Sequence, residues 1–461
     1  MAQPEQLEIL VIGSGEAGKW ITWEMASAGR RTAVVERRWI GGSCPNINCL
    51  PSKNEIFSAK VADVVRHADS FGTEVTGVRT NVAKVLARKR KMVEGEIAFH
   101  RRRYRETGGE LILGEARFVA PKTVEVALTG GGTRLLTGEH VFLNLGTRPS
   151  IPPVAGLADL AMTNIEMLEL DRAPQHLVVL GGGYVGLEFA QAYRRFGSRV
   201  TVIERGPQLL RGEDPDVTDA VLRLLADEEV EVLVAAEAVR VEGCRGDLRV
   251  VVRTRDGERT IEASDLLVAL GRTPNTGGIG LDVAGVALDG RGYIAVNERL
   301  ETSAPGVWAL GECAGSPQFT HVSFDDFRVA RDNLAGRSRT TRGRLVPFCL
   351  FTDPPLARVG LSELEARTRG VAVRVATLPM QNVLRTETTD ETRGFMKVLV
   401  EAGGDQILGF TMFGAEAGEV MSVVQTAMLG GLPYTALRDA IYAHPTMAEG
   451  LNPLFARVPG R

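Results

Sequence analysis

Residues 7–18 read Leu-Glu-Ile-Leu-Val-Ile-Gly-Ser-Gly-Glu-Ala-Gly, an apolar run that leads into three spaced glycines. Gly13, Gly15 and Gly18 have the spacing G-x-G-x-x-G, which allows a tight turn and points the start of a helix at a pyrophosphate. The next apolar run, residues 32–36, ends in Glu36. An acid in that place accepts hydrogen bonds from an adenosine ribose. The stretch therefore predicts a βαβ unit that binds a dinucleotide.

The same pattern occurs a second time, within residues 177–204. A single G-x-G-x-x-G motif is a weak signal, but here every element lies 168 positions after its first counterpart, and both copies place an acid 18 residues after the third glycine. Two such units in one chain predict hydride movement between a nicotinamide and a resident flavin. We expect FAD in the first unit and NAD(P) in the second, where the matching residues are Gly181, Gly183, Gly186 and Glu204.

Residues 41–53 contain two cysteines, Cys44 and Cys49, separated by four residues. In a regular helix, residues five apart lie about 7.5 Å apart along the axis, beyond the roughly 7 Å limit for the Cα atoms of a disulfide. We therefore expect a distorted helix start, with Asn48 tolerating unusual backbone angles. The helix N-terminus and Lys53 would lower a thiol pKa. The alternatives are a buried cysteine pair or half of a zinc site, but the nearby sequence offers no further zinc ligands.

The bulk composition is that of a globular enzyme with several domains. The chain has 461 residues, a net charge of −3 and 44% hydrophobic residues, which gives no electrostatic reason to expect a nucleic acid or a membrane as partner. The N-terminus has no basic region followed by a long apolar stretch, and no segment reaches transmembrane length. We expect a small-molecule substrate and a cytoplasmic location.

Two further groups of residues receive a structural interpretation. The chain has five cysteines, too few for a framework of structural disulfides in a chain of this length. We predict that Cys244, Cys313 and Cys349 fill the core. The basic runs at residues 87–91 and 101–103 are interspersed with acids and predict a solvated helix face rather than a nucleic-acid contact. No metal site is predicted.

Over nearly its full length the chain resembles the class I pyridine nucleotide-disulfide oxidoreductases, which include dihydrolipoamide dehydrogenase, glutathione reductase and mercuric reductase. The resemblance implies an α/β fold with two Rossmann-like dinucleotide-binding domains and a C-terminal α+β dimerisation domain. It places a discontinuous FAD-binding domain at residues 1–150 and 276–336, an NAD(P)-binding domain at 151–275, and a dimerisation domain at 337–461.

The resemblance also implies roles for the residues around the cysteines. Cys49 would be the thiol next to the flavin, and Cys44 the thiol that meets the substrate. Lys53 would lie near flavin N5 and pair with Glu188, while Tyr184 resembles an aromatic gate over the nicotinamide pocket. Glu312 stands where the family usually has Asp, so its hydrogen-bond geometry to the flavin ribityl chain is expected to differ. The other implied cofactor-binding residues are Gly42, Ser43, Gly146, Thr147, Gly271, Gly311 and His321.

Residues 442–449 read Tyr-Ala-His-Pro-Thr-Met-Ala-Glu and resemble the family motif H-x-H-P-T-x-x-E. The resemblance makes His444 the acid/base and Glu449 its orienting carboxylate, a role that suits a side chain whose pKa lies near neutrality. Tyr442 replaces the first histidine of the motif, which alters the entrance more than the chemistry. In the family this histidine reaches the cysteines of the other subunit, so a homodimer with shared active sites is implied.

The predicted activity is an FAD-dependent NAD(P)H:disulfide oxidoreductase that acts on a small thiol or disulfide. Glu204 favours NADH because an acid repels a 2′-phosphate, although Arg205 and Arg211 could contact one. The alternatives are a dihydrolipoamide dehydrogenase, a mercuric-reductase-like metal reductase, or a slow-turnover flavin protein that senses redox state. The sequence around His321 is closer to the mercuric reductases, but residues 455–461 lack their C-terminal cysteine pair.

Overall fold

The structure is a computed structural model that describes residues 3–461, so residues 1 and 2 of the predicted FAD-binding domain lie outside it. Its strands are β1 (Glu5–Ile12), β2 (Thr32–Glu36), β3 (Glu110–Ala120), β4 (Thr123–Leu128), β5 (Thr133–Leu143), β6 (Thr147–Pro149), β7 (His176–Leu180), β8 (Arg199–Ile203), β9 (Glu231–Leu233), β10 (Glu237–Cys244), β11 (Asp247–Thr254), β12 (Gly257–Ala263), β13 (Asp265–Val268), β14 (Arg272–Pro274), β15 (Val307–Ala309), β16 (Phe348–Leu350), β17 (Leu356–Gly360), β18 (Val373–Pro379), β19 (Phe395–Glu401) and β20 (Ile407–Phe413).

The helices lie between these strands and cover their sheets. They are α1 (Glu16–Ser27), α2 (Ser43–Ile47), α3 (Cys49–Arg66), α4 (Val82–Thr107), α5 (Leu157–Leu160), α6 (Asn164–Met167), α7 (Tyr184–Phe196), α8 (Pro215–Asp227), α9 (Thr320–Leu334), α10 (Glu363–Thr368), α11 (Leu384–Thr389), α12 (Ala417–Leu429), α13 (Tyr434–Arg438) and α14 (Leu451–Ala456). Short 3₁₀ turns occur at Ala68–Phe71, Gly311–Ala314, Met380–Asn382 and Ala448–Gly450. Within residues 3–461, no helix is both long enough and apolar enough to cross a membrane.

The first sheet is built from two separate stretches of the chain. Strand β1 pairs in parallel with β2 and β5, and β5 pairs in parallel with β15. Strands β2 and β15 are buried along their whole length, as expected for parallel strands covered on both faces. The carboxyl ends of β1, β2 and β5 meet at one edge, because Ile12 lies opposite both Val35 and Leu143. That edge carries Gly13 and Glu36.

The second sheet repeats this plan. Strands β13, β7, β8 and β9 are all parallel, and β7 is completely buried. A three-stranded antiparallel sheet, β10–β11–β12, packs its apolar side chains against those of β7 and β13. Between the first and second sheets the chain crosses at β6 and β14, which pair antiparallel with Thr147 opposite Pro274.

The third sheet is a five-stranded antiparallel layer in the order β16–β17–β20–β19–β18. Helices α12 and α14 bury apolar residues against it, including Val424 and Leu454. The predicted α/β class, with two dinucleotide-binding folds and a C-terminal domain, is confirmed. We retain the predicted domain boundaries as a proposal.

Two expectations from the sequence need correction. Cys313 is buried and Cys349 is partly buried, but Cys244 is exposed because it ends β10, where it pairs with Asp247 beside the two-residue turn to β11. Within the basic helix α4, Lys89 is not solvated: it is 1% exposed and its Nζ lies 2.5 Å from a carboxylate oxygen of Glu169. The pairing with an acid from another part of the chain makes this burial possible.

Candidate active site

The first glycine turn is packed so tightly that no side chain fits. A Cβ on Gly13 would lie 2.3 Å from the backbone oxygen of Asn144, and a Cβ on Gly18 would lie 2.1 Å from the oxygen of Gly13. Gly13 also has a φ of +94°, a conformation that favours glycine. A Cβ on Gly15 would lie 2.4 Å from Asn144 Oδ1, which itself accepts a hydrogen bond from the Gly18 amide. The amide groups at the start of α1 are thus fixed for an anionic ligand.

Glu36 lies at the end of β2 and anchors this turn. One of its carboxylate oxygens accepts hydrogen bonds from the Ser14 amide at 2.9 Å and the Ser14 hydroxyl at 2.7 Å. The other accepts from the amides of Arg38 and Trp39. The carboxylate is therefore held in the place where the sequence predicts a contact with ribose, and Ser14 is a partner that sequence analysis missed.

Glu312 lies in the 3₁₀ turn that follows β15. Its Oε2 accepts a hydrogen bond from the Thr147 hydroxyl and lies 3.6 Å from Arg272 Nε. Both contacts use the same oxygen, so among the described residues Oε1 remains available to a ligand hydroxyl. The turn is fixed by the Gly311 amide, which donates to buried Asp326 at 2.7 Å. One oxygen of the Glu312 carboxylate is thus used by Thr147, and the other is left for a ligand.

The predicted distortion at the cysteines is present as a helix break. Helix α2 ends at Ile47, Asn48 has φ −132° and ψ −104°, and α3 begins at Cys49. The break is held by Asn164, whose Nδ2 donates to the Ile47 oxygen at 2.6 Å and to Asn48 Oδ1 at 2.7 Å. Asn164 comes from a distant part of the chain, and no local pattern indicates this contact.

The break brings the two thiols close enough for each to shift the pKa of the other, in opposite directions. A hydrogen bond from Cys44 is the largest influence on Cys49 and, although burial opposes it, the pKa of Cys49 is lowered to about 6 with help from Thr320 and Lys53. The same hydrogen bond and burial raise the pKa of Cys44. The reduced pair therefore holds its negative charge on Cys49 and its proton on Cys44 at neutral pH.

Thr320, the first residue of α9, is a partner of the thiolate that the sequence did not reveal. Its hydroxyl lies 3.4 Å from Cys49 Sγ. We expect Thr320→Val to raise the pKa of Cys49 by about one unit, because a hydrogen bond to a charged group contributes about 1.5 kcal/mol and one pKa unit is about 1.4 kcal/mol. The measurement is the pH midpoint of the long-wavelength absorbance of the two-electron-reduced enzyme. Thr320→Ser keeps the hydroxyl and should keep the midpoint, so an equal shift in both variants would contradict this role.

Lys53 and Glu188 form the ion pair that the resemblance implied. Lys53 Nζ lies 2.6 Å from Glu188 Oε2, and it also lies 4.8 Å from the centre of the Phe351 ring. The other oxygen of Glu188 accepts from the Phe351 amide at 2.9 Å. Glu188 is 5% exposed, so these contacts satisfy a buried carboxylate. Lys53 lies one helical turn after Cys49, which places its charge beside the thiolate.

The second glycine turn is tight at two positions and open at the third. A Cβ on Gly181 would lie 2.5 Å from the Ala269 oxygen and one on Gly186 would lie 2.0 Å from the Gly181 oxygen, but one on Gly183 would meet nothing within 4 Å. Packing within the protein thus gives no reason for a glycine at 183. Close approach of a ligand to the protein backbone would give one. The glycines at 146 and 271, at the two crossings, are open in the same way.

Glu204 closes this second turn at the end of β8. Its two carboxylate oxygens accept hydrogen bonds from the amides of Gly182 at 2.8 Å and Gly206 at 2.6 Å. Arg205 and Arg211 are both exposed. The carboxylate of Glu204 therefore lies at the end of β8, where the sequence predicts the nucleotide ribose.

His444 and Glu449 are paired on the surface, away from the cysteines of the same subunit. His444 Nδ1 lies 3.0 Å from both carboxylate oxygens of Glu449, and the histidine side chain is 61% exposed. His321 is not brought to the thiols either: its Nε2 lies 2.7 Å from the Pro347 oxygen and its ring stacks on Phe319.

Gly42 joins the first glycine turn to the cysteine segment, since a Cβ there would lie 2.6 Å from the Cα of Gly15. Ser43 follows as the first residue of α2.

Comparison with known families identifies this arrangement. A family model described as pyridine nucleotide-disulphide oxidoreductase matches residues 7–326, and the model of the dimerisation domain of that family matches residues 346–454. The chain belongs to the pyridine nucleotide-disulphide oxidoreductase family. It is a flavoprotein oxidoreductase that uses FAD and a nicotinamide nucleotide, and it carries a dimerisation domain.

Individual relatives cover almost the whole chain. The probable pyridine nucleotide-disulfide oxidoreductase RclA of Escherichia coli K12 is 34% identical over 458 residues, which covers 98% of this chain and 99% of the relative. A mercuric reductase of Acidithiobacillus ferrooxidans is 34% identical over 97% of this chain and 82% of its own. The solved Cu(II) complex of RclA, described as an HOCl-induced flavoprotein disulfide reductase, superimposes with a TM-score of 0.90 at 32% identity over 98% of this chain and 99% of its own.

Proposed function

We propose that this flavoprotein reduces small disulfides with electrons from a nicotinamide nucleotide through Cys49 and Cys44. The observation that carries the proposal is the placement of the two cysteines on either side of a helix break, with the Thr320 hydroxyl beside Cys49 and the Lys53–Glu188 pair one helical turn further on. A buried thiolate with a pKa of about 6 beside Lys53 suits electron exchange with a flavin, and a protonated partner thiol suits exchange with a substrate. Both dinucleotide turns of the same chain are built for the nucleotides that this chemistry requires.

Bound FAD would take a hydride from the nicotinamide nucleotide and deliver two electrons to the Cys44–Cys49 disulfide. The residues fit that cofactor, since the glycine turn after β1, Glu36 at the end of β2 and Glu312 after β15 all lie at the edge of the first sheet where its parallel strands end. Opening of the disulfide leaves a thiolate on Cys49 that is stabilised by Thr320 and Lys53.

The substrate half of the cycle uses Cys44 as nucleophile. Cys44 loses its proton and attacks one sulfur of the substrate disulfide, which forms a mixed disulfide and releases the first thiolate. That thiolate takes up the proton. Cys49 then attacks the Cys44 sulfur, re-forms the Cys44–Cys49 disulfide and releases the second thiolate. One disulfide, one NAD(P)H and one proton become two thiols and NAD(P)⁺.

Removal of the proton from Cys44 requires a base, and we propose that His444 of the partner subunit is that base. His444 is exposed in the single chain and is oriented by Glu449, so it is ready to enter another subunit's site. The dimerisation domain supports the homodimer that this arrangement needs. We keep a cytoplasmic location as part of the same proposal, because the exchangeable Cys44–Cys49 pair suits a reducing compartment.

We propose NADH as the preferred nucleotide because of Glu204. We expect wild-type kcat/KM to favour NADH over NADPH, and we expect Glu204→Ala to lower kcat/KM for NADH by about tenfold to a hundredfold, the size of one or two hydrogen bonds to a charged group. The variant also frees the amides of Gly182 and Gly206 for a 2′-phosphate, so the preference should collapse. Steady-state kinetics with both nucleotides measure this, with Glu242→Ala as a charge-matched control in the same domain. A wild-type preference for NADPH would contradict the assignment.

A second candidate acceptor is a thiol-seeking metal ion. The relatives favour it, because several are mercuric reductases and RclA has been solved as a Cu(II) complex. A thiolate beside a thiol is a suitable soft ligand set for such ions. The acceptors are separated by following NADH oxidation with glutathione disulfide, lipoamide, Cu(II) and Hg(II) in parallel. Turnover with disulfides supports the first proposal, turnover with metal ions alone supports the second, and turnover with none supports a slow redox-sensing protein.

A further inference from the structure

Tyr184 is the first residue of α7 and its ring is surrounded by aromatic side chains. It packs edge-on against Phe319, with 6.5 Å between ring centres, and against Phe348, with 6.1 Å between ring centres. Burial is the main cause of the raised pKa of its phenol. Tyr184 precedes Glu188 by four residues on the same helix, so the ring lies on the helix face that carries the Lys53–Glu188 pair.

The Tyr184 hydroxyl has a charged neighbour, Glu213, which lies in the loop between β8 and α8. The hydroxyl donates to Glu213 Oε1 at 3.5 Å. Glu213 is 3% exposed, and its Oε2 lies 3.2 Å from Arg358 Nε. Burial raises the pKa of Glu213, and the Arg358 guanidinium opposes that rise.

Arg358, in β17, connects this carboxylate back to the wall around the tyrosine. Its guanidinium lies 4.6 Å from the centre of the Phe348 ring and 2.7 Å from a carboxylate oxygen of Glu365. Tyr184, Glu213, Arg358 and Phe348 therefore form a closed ring of contacts drawn from three separate parts of the chain. The sequence motifs account for Tyr184 alone.

The loop that carries Glu213 is held in place by ion pairs. Of the two residues in the Tyr184–Glu213 contact, Tyr184 is therefore the one that can move. The next residue, Asp214, accepts a hydrogen bond from Lys397 Nζ at 2.8 Å, and the same ammonium group contacts Asp216 at 2.9 Å and Glu363 at 2.8 Å. Lys397 is 1% exposed, and a buried ammonium with three carboxylates is costly to disturb. A phenol ring at a helix start can rotate about its own side-chain bonds instead.

We propose that Glu213 is a positioning residue that holds the Tyr184 ring closed over the nicotinamide pocket until a nucleotide displaces it. This inference rests on the proposed function, in which the nicotinamide nucleotide binds at the second glycine turn, because Tyr184 directly follows Gly183 of that turn. A nucleotide that binds only the open form has its apparent dissociation constant raised in inverse proportion to the open fraction. Weakening the Tyr184–Glu213 contact therefore tightens nucleotide binding.

The test compares the dissociation constants of NAD⁺ for the oxidised holoenzyme by calorimetry. We expect Glu213→Gln and Tyr184→Phe each to lower the dissociation constant by about three- to fivefold, the size of one hydrogen bond. The double variant should bind like either single variant, because both remove the same contact. The matched control is Glu365→Gln, which removes the other carboxylate partner of Arg358 without touching Tyr184, and it should bind like wild type.

Unchanged binding in Glu213→Gln and Tyr184→Phe, or an equal change in Glu365→Gln, would overturn the inference. FAD content and far-UV circular dichroism identify a variant that has simply misfolded, and Tyr184→Phe, which removes a single oxygen, then decides. Anaerobic reduction of the wild-type flavin by NADH tests the proposed function separately. If the wild-type flavin is reduced while binding does not respond to Glu213, only the gate fails; if no nucleotide reduces the flavin, the proposed function fails.

Discussion

Replacing Cys49 by serine is expected to lower disulfide turnover by about four orders of magnitude or more, the range seen when a nucleophile that acts within a unit is removed. Cys49 is the only member of the pair whose pKa is lowered, to about 6, and a serine hydroxyl supplies neither a thiolate nor an exchangeable disulfide. The variant should bind FAD and accept electrons from NADH as wild type does. Stopped-flow absorbance measures flavin reduction by NADH, and steady-state assays measure disulfide turnover.

Cys44→Ser separates the roles of the two thiols. It should lose turnover to the same extent but keep the long-wavelength absorbance of a Cys49 thiolate beside a flavin. The control is Cys349→Ser, a thiol close enough for Glu188 and Lys53 to influence its charge but outside the proposed cycle. An active Cys49→Ser enzyme, or a Cys44→Ser enzyme that has lost the absorbance, would contradict the assignment.

Replacing His444 by glutamine is expected to lower disulfide turnover by about 10²- to 10⁴-fold, the usual contribution of a general acid or base. The loss follows from the position of the proton, which the raised pKa of Cys44 keeps on the attacking thiol. Reduction of the flavin by NADH should be unchanged. His67→Gln is a matched control, because His67 is another exposed histidine with a carboxylate neighbour, Asp63, at 3.6 Å.

A mixed dimer tests whether His444 acts across subunits. If one subunit carries Cys49→Ser and the other His444→Gln, one of the two sites has all of its wild-type residues only when the histidine comes from the partner. A doubly tagged, purified heterodimer should then have about half the wild-type activity, as expected for a two-fold symmetric dimer. An inactive heterodimer would show that the histidine serves its own subunit.

The sequence was most informative where one residue type is the only one that fits. The glycines of both turns were predictable, because Gly18 and Gly186 leave no room for a Cβ beside the oxygens of Gly13 and Gly181. The helix break at Asn48 was predictable because a regular helix holds two such cysteines too far apart. Local geometry alone requires these features.

The contacts that the sequence could not reveal join residues far apart in the chain. Thr320 reaches Cys49 across 271 positions, Asn164 reaches Ile47 across 117, and Glu213 meets Arg358 only in the folded state. The sequence gives no signal for the roles of Thr320, Asn164 and Glu213, because a side chain acquires such a role only from the packing around it. Glu312 lies just after β15, but its contact with Thr147 depends on the crossing at β6.

The Phe351 amide, which holds Glu188, directly follows β16 at the start of the C-terminal region, whereas His444 follows α13 near the end of that region. In the proposed dimer, one portion of the C-terminal region thus acts on its own subunit and another portion acts on the neighbour. A chimera that grafts the C-terminal third of a relative onto this chain transplants both influences at once. Junctions placed on either side of residues 348–351 would separate the influence of Phe351 from that of His444. Flavin-side electron transfer and substrate reduction could then be altered independently by recombination.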